Sequence, residues 1–211
     1  MARRPLTRRR LLGLDRSGPP PAETLRRQPL HPWTIPNLIG FARLALLPVF
    51  LALALGSGDG REGSASALYA IIGGSDYLDG LAARLTGQYS RLGALLDPLT
   101  DRLLVVCGVV VCWHFALLPR WALGVLAARE VVMLVLTQVA LRRGIDIQIK
   151  MLGRWAVWPT MFSLFLAMVS VTWVAEALLY LGLAMTLAAT ALYLQDGWGQ
   201  LRTGPRPSTS T

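Results

Sequence analysis

The sequence predicts an all-α integral membrane protein with six transmembrane helices and both termini in the cytoplasm. Three observations carry that reading. The chain is 54% hydrophobic and only 16% charged over 211 residues, too apolar for an ordinary soluble domain of this length. Its mean hydropathy is +0.47, and apolar runs of about 20 residues, enough to cross a bilayer, recur along it. Basic residues fall in short segments between those runs and alternate in density, the asymmetry that orients membrane proteins.

Residues 1–32 carry eight arginines and the run Pro19-Pro20-Pro21. They read as a basic, Pro-rich cytoplasmic tail without packed structure. Residues 24–34 can form a short interfacial segment through Leu25, Leu30 and Trp33. The first span covers 35–56. The loop at 57–64 has one base, Arg61, beside Asp59 and Glu62. Spans at 65–84 and 93–117 flank a short turn around Gly87 to Ser90, which makes them antiparallel neighbours. A loop holding only Arg120 leads to the fourth span, 120–141. Arg142, Arg143 and Lys150 precede the fifth, 153–173, and no base precedes the sixth, 175–195. Residues 33–197 therefore read as one membrane domain, and 198–211, rich in Gly, Pro, Ser and Thr, as a flexible tail.

The formal net charge of +9 raises nucleic acid as a partner. The bases sit at the borders of apolar runs, so an anionic lipid surface fits better and no nucleic acid is expected. One lysine against twenty arginines points to a GC-rich bacterial genome, and hence to a bacterial plasma membrane. Cys107 and Cys112 are five apart, neither a metal spacing nor a helix-face spacing, and read as packing residues. His31 and His114 are isolated. Trp33, Trp121, Trp173 and Trp198 flank spans as interface anchors do.

The chemistry is concentrated in a 26-residue window from Asp76 to Asp101, which holds four of the twelve acids. Asp76 and Asp79 are three apart and Asp97 and Asp101 four apart, so each pair shares a helix face. The short turn brings the four carboxylates together at the cytoplasmic membrane boundary. Carboxylates near a lipid core are unfavourable, by roughly 2.5–3.5 kcal/mol each on insertion scales, and call for neutralisation. The ligand set is all hard oxygen, which selects two Mg²⁺ or Mn²⁺ ions over zinc. Two such ions can bridge a pyrophosphate. Arg84 adds a cation suited to a phosphate, and Gly80 and Gly93 leave room for a bulky ligand. The plainer reading has these acids as boundary carboxylates paired with Arg84, Arg91 and Arg102.

Asp76, Asp79, Gly80, Ala83, Arg84, Gly93, Asp97 and Asp101 match the D-x2-D-G-x2-A-R-x8-G-x3-D-x3-D signature at every fixed position and spacing. On these residues the chain resembles the CDP-alcohol phosphatidyltransferases. The resemblance implies a six-helix membrane enzyme, commonly a homodimer, in which an alcohol displaces CMP from a CDP-linked lipid. It implies that Asp76, Asp79 and Asp97 are metal ligands, and that Asp101 binds a second metal and acts as general base. Gly80, Ala83, Arg84 and Gly93 would shape the site for the cytidine diphosphate of CDP-diacylglycerol.

The acceptor alcohol is marked less sharply. Asn37, Gly40 and Arg43 resemble an N-x2-T-x2-R element of family members that use glycerophosphate or form cardiolipin, with Gly40 in place of threonine. Asn37 is also a candidate helix cap. Arg43, inside an apolar run, needs a partner, either a substrate phosphate or a motif aspartate. The Lys-Thr-Gln-bearing element of glycerol-phosphate transferases survives only as Gly153-Arg154. The run Ser90 to Pro98 with Asp101-Arg102 looks more like the actinobacterial cardiolipin synthases of the family. Phosphatidylglycerol is thus the expected acceptor, with glycerol-3-phosphate as the alternative and inositol phosphate more distant. Lys150 and Arg154, four apart, can hold an acceptor phosphate or simply anchor the cytoplasmic side. Arg129 and Glu130 lie inside the fourth span; as neighbours on a helix, each is expected to find a partner on another helix. Two other classes remain open, a divalent-cation or solute transporter and a catalytically silent lipid-binding scaffold.

Overall fold

The computed structural model is helical throughout, with no strand among the described residues. It describes residues 34–88, 90–143 and 151–203, and their side chains except at 79, 84, 91, 94, 95, 136–143, 151–156 and 193–203. The N-terminal tail and its interfacial segment, and Lys150, lie outside the described residues. Among the described residues, six helices follow in order: α1 (Ile35–Gly56), α2 (Gly63–Thr86), α3 (Arg91–His114), α4 (Arg120–Arg143), α5 (Met151–Val169) and α6 (Trp173–Thr203). Each coincides with one expected apolar run. The last departs from expectation: α6 continues to Thr203, into the stretch assigned from sequence to the tail. The residue that first forbids a helix there is Pro205, so the polar composition of 198–203 is no barrier.

Local chemistry sets the helix ends. Thr34, in extended conformation, caps α1 by accepting a hydrogen bond from the Asn37 N–H at 3.4 Å, and Pro36 fits the first turn. The cap is Thr34, not Asn37. Gly87 ends α2 with φ 65° and ψ 16°, a left-handed conformation that glycine adopts without strain. Three residues on, the Ser90 hydroxyl accepts the Gly93 N–H at 2.9 Å, as a cap at the start of α3 does.

The chain divides into two compact units, residues 1–107 and 108–211. In the first, α1 packs along α2, with Leu47, Phe50, Ala54 and Ile72 buried and the Phe50 and Tyr69 rings 5.3 Å apart. Gly40 lies under Leu96 of α3, where an added Cβ would make ordinary contact at 3.9 Å. In the second unit, α5 and α4 both pack on α6. Leu123, Leu126, Leu164, Met168 and Leu179 are buried there. The closest approach is at Gly182, where a Cβ would stand 2.9 Å from the Thr160 backbone nitrogen. Cys107 and Cys112 are free thiols and buried.

Large apolar side chains are exposed on every helix, among them Leu53, Ile71, Val110, Val135, Trp158 and Leu181. Among the described residues, Ile35–Gly56 and the stretch Trp173–Leu192 of α6 are long and apolar enough to cross a membrane on length and composition.

Candidate active site

The site grows from the junction of α1, α2 and α3 in the first unit. Asp76 and Asp79 lie one turn apart on α2, followed by Gly80, Ala83 and Arg84 on the same helix. Gly93, Asp97 and Asp101 succeed one another at one-turn intervals on α3. The side chains of Asp79 and Arg84 lie outside the described residues. Gly80, Ala83 and Asp97 are partly exposed. Pro98, inside α3, removes one helical hydrogen bond beside Asp97.

What ties the two halves of the motif together comes from α1. Arg43 is only 2% exposed, yet its side chain carries a full charge. A buried guanidinium must have its donors satisfied and its charge opposed. Its Nε donates to the Ile72 carbonyl at 3.0 Å. One terminal nitrogen donates to Asp76 Oδ1 at 3.2 Å, and the other to Asp101 Oδ1 at 2.9 Å. The carboxylates thus arrive from different helices at two nitrogens of one planar group. Of the two partners left open by the sequence, a substrate phosphate or a motif aspartate, the structure places motif aspartates at this guanidinium. The two carboxylates remain accessible, Asp76 at 48% and Asp101 at 33% of the side chain.

A second link lies further toward the start of α1. Asn37 is buried, and its Oδ1 accepts the Ser90 hydroxyl at 2.8 Å. The Ser90 oxygen in turn accepts the Gly93 N–H. A Cβ on Gly93 would fall 2.7 Å from Asn37 Oδ1 and 3.2 Å from Ser90 Oγ. Glycine is therefore required here by a buried hydrogen-bonded chain. Asn37 and Arg43, expected from sequence to bind the acceptor, both contact motif residues or their support. The sequence reading gave Ser90 no role of its own. Its signal was a serine three residues before Gly93, at the start of an apolar run.

Lys150 lies outside the described residues; Arg154 lies on α5, its side chain likewise outside them. In the second unit, Arg129 finds the partner on another helix that was expected, Thr190 of α6, but it also forms an ion pair with its neighbour Glu130, which was not expected. The expectation followed Cβ directions, but the long arginine stem folds back to its neighbour. Arg129 Nε also donates to Thr190 Oγ1 on α6 at 3.2 Å, and the Thr190 hydroxyl donates to the Thr186 carbonyl.

The donor chemistry at Asp76, Asp97 and Asp101 suits a hard divalent cation: all are carboxylate oxygens, and Asp76 and Asp101 converge while open to solvent. Among the described residues, no three such groups gather as a finished ligand set. Arg43 carries one charge against the two carboxylates it bridges.

Comparison with known proteins bears on this arrangement. The family model described as CDP-alcohol phosphatidyltransferase matches residues 33–188. A cardiolipin synthase (CMP-forming) of Streptomyces coelicolor is 39% identical over 170 residues, 78% of this chain and 79% of that protein. A putative cardiolipin synthase of Mycobacterium tuberculosis is 40% identical over 97 residues, 46% of each chain. The CDP-diacylglycerol–glycerol-3-phosphate 3-phosphatidyltransferase of Bacillus subtilis is 28% identical over 191 residues, 81% of this chain and 98% of that protein.

Proposed function

The chain belongs to the CDP-alcohol phosphatidyltransferase family, and from that premise we propose that it is a cardiolipin synthase, transferring the phosphatidyl group of CDP-diacylglycerol to phosphatidylglycerol with release of CMP. The observation that carries the chemistry is the convergence of Asp76 and Asp101, from two helices, on one buried arginine. The acceptor rests on similarity: identity to the Streptomyces cardiolipin synthase is 39%, against 28% to the Bacillus glycerol-3-phosphate enzyme.

The reaction forms one P–O bond and breaks another. A free hydroxyl of phosphatidylglycerol attacks the phosphorus that bears the diacylglycerol, and the phosphoanhydride bond to CMP opens. The hydroxyl proton passes to the carboxylate of Asp101, which is accessible to solvent and sits opposite the guanidinium that holds its other partner. CMP departs as an anion. Asp76, Asp79, Asp97 and Asp101 would hold two Mg²⁺ or Mn²⁺ ions, which when bound supply charge neutralisation to the pyrophosphate. Gly80, Ala83, Arg84 and Gly93 are assigned to the cytidine diphosphate site, and Lys150 and Arg154 to the acceptor.

In this reading all six helices span a bacterial plasma membrane. The shortest has 19 residues, a rise of roughly 28 Å against a hydrocarbon core near 30 Å. Exposed apolar side chains on every helix support that placement. The basic segments put both termini and the aspartate cluster at the cytoplasmic face. Residues 33–197 form the catalytic domain, acting as a homodimer.

The test is CMP release by purified protein in detergent, with CDP-diacylglycerol and Mg²⁺, when phosphatidylglycerol, glycerol-3-phosphate or inositol phosphate is supplied separately. Release with phosphatidylglycerol alone is the expected result. Release with glycerol-3-phosphate alone would make the enzyme a phosphatidylglycerophosphate synthase. Cation or solute flux in liposomes with no CMP formed would make the chain a transporter. Asp101→Asn keeps the Oδ1 acceptor for Arg43 and removes the base, so turnover should fall by about 10²–10⁴-fold while the protein stays folded; full activity would remove Asp101 from that role.

A further inference from the structure

We infer that Arg43 is a positioning residue: it fixes the Asp76 and Asp101 carboxylates of α2 and α3 relative to each other and does not bind the acceptor. The inference rests on the transferase reading above. Each of the three guanidinium nitrogens already holds a protein oxygen, at 3.0, 3.2 and 2.9 Å. The side chain is sealed from solvent while the carboxylates it holds are not. A group that contacted an incoming phosphate would need the reverse arrangement, with the cation facing outward. The guanidinium is a rigid planar fork, so the two carboxylates it engages inherit a fixed separation. Its own anchor is firm. The Nε bond to Ile72 ties it to the turn of α2 just before Asp76, and α1 is held to the start of α3 by the bond between Asn37 and Ser90. Arg43 therefore reads the position of both helices and transmits it to the oxygens that face the substrate. In metal enzymes such outer partners of ligating carboxylates set affinity and rate without touching the reacting atoms.

The experiment uses the full chain in detergent, as wild type, Arg43→Lys and Arg43→Gln. Lysine keeps the charge and the stem, but its compact ammonium lacks the planar fork that fixes the spacing of the two carboxylates. Two quantities are read: Mn²⁺ affinity without substrates, from the electron paramagnetic resonance signal of free Mn²⁺, and kcat with acceptor KM from CMP release. We expect Arg43→Lys to weaken Mn²⁺ binding and lower kcat, each by about 10–100-fold, with acceptor KM unchanged within about twofold. An acceptor role would show the opposite split, a raised KM with Mn²⁺ affinity and kcat retained, and would overturn the inference. So would failure of Arg43→Lys to remain monodisperse, which would make the group a structural ion pair only. Should the wild type release no CMP with any acceptor, the transferase reading itself fails, while Mn²⁺ binding still decides whether Arg43 orders the carboxylates.

Discussion

Gly93→Ala separates two reasons for a motif glycine. In a helix interior this change ordinarily stabilises by about 0.5–1 kcal/mol, because alanine loses less backbone freedom on folding. Here the new Cβ would stand 2.7 Å from Asn37 Oδ1 and 3.2 Å from Ser90 Oγ, two atoms bonded to each other at 2.8 Å. Both are side-chain ends, but each is buried and bonded to the other, so neither shifts without disturbing that bond. Moving Asn37 away strands a buried hydroxyl, at about 1–3 kcal/mol. Moving Ser90 weakens the cap on α3, at about 0.5–2 kcal/mol. The net effect is a loss of about 1–4 kcal/mol once the helix gain is offset.

The assay is a double-mutant cycle on detergent-solubilised protein, with unfolding followed by circular dichroism as denaturant is raised. Asn37→Ala removes the atom with which the new methyl collides. In that background Gly93→Ala should lose most of its effect, a coupling of about 1 kcal/mol or more. Gly40→Ala is the control, because its Cβ would meet Leu96 at 3.9 Å, an ordinary contact. Equal losses in both backgrounds, or wild-type stability of Gly93→Ala, would refute the reasoning. Unchanged stability with lost turnover would instead assign the glycine to the cytidine site alone.

Three further outcomes are expected. Gly182→Ala should destabilise the second unit by about 1–3 kcal/mol through overpacking, because its Cβ would lie 2.9 Å from the Thr160 nitrogen and 3.1 Å from its Cα, backbone that cannot rotate away; thermal unfolding in detergent checks it. Glu130→Ala should cost about 3–5 kcal/mol by leaving the Arg129 charge buried without its carboxylate, and an Arg129→Met/Glu130→Met double variant should recover most of that stability in the same assay. Treatment with a chelator should stop CMP release, and added Mg²⁺ or Mn²⁺, but not Ca²⁺, should restore it; activity that persists in chelator would remove the metal from the reading.

The helices were legible because each coincides with a long, largely apolar run, and such runs are local. The boundaries at Ile35, Gly56 and Thr86 follow from Pro36, from the polar run after residue 56 and from Gly87. The motif was legible for a similar reason: its eight positions lie within 26 residues on two helices joined by a short turn. What the sequence left open depends on contacts across helices. Arg43 and Asp101 are 58 positions apart and Asn37 and Ser90 are 53 apart, and neither pairing has a period to read. The pairing of Arg129 with Glu130 went unforeseen for the opposite reason. The rule that helix neighbours diverge holds for Cβ atoms and fails for a side chain as long as arginine's.

Among the described residues, Arg43 and Arg129 both hold ion pairs largely away from solvent, and the two differ in what reaches the surface. Arg129 and Glu130 are 9% and 7% exposed at the side chain and cancel each other, and Thr190 takes a further donor. That group is closed: it is neutral, dry and internally bonded, and nothing about it asks for a ligand. Arg43 is more deeply buried, at 2%, but it opposes two carboxylates that reach solvent. Its two terminal nitrogens bring Asp76 and Asp101 together from different helices. In the reading proposed above, an arginine that gathers accessible carboxylates would set the geometry, and with it the affinity, of the metal site they form. Replacing a ligand aspartate and replacing Arg43 should therefore both weaken metal binding, but for different reasons: the first deletes a donor, the second lets the donors drift apart.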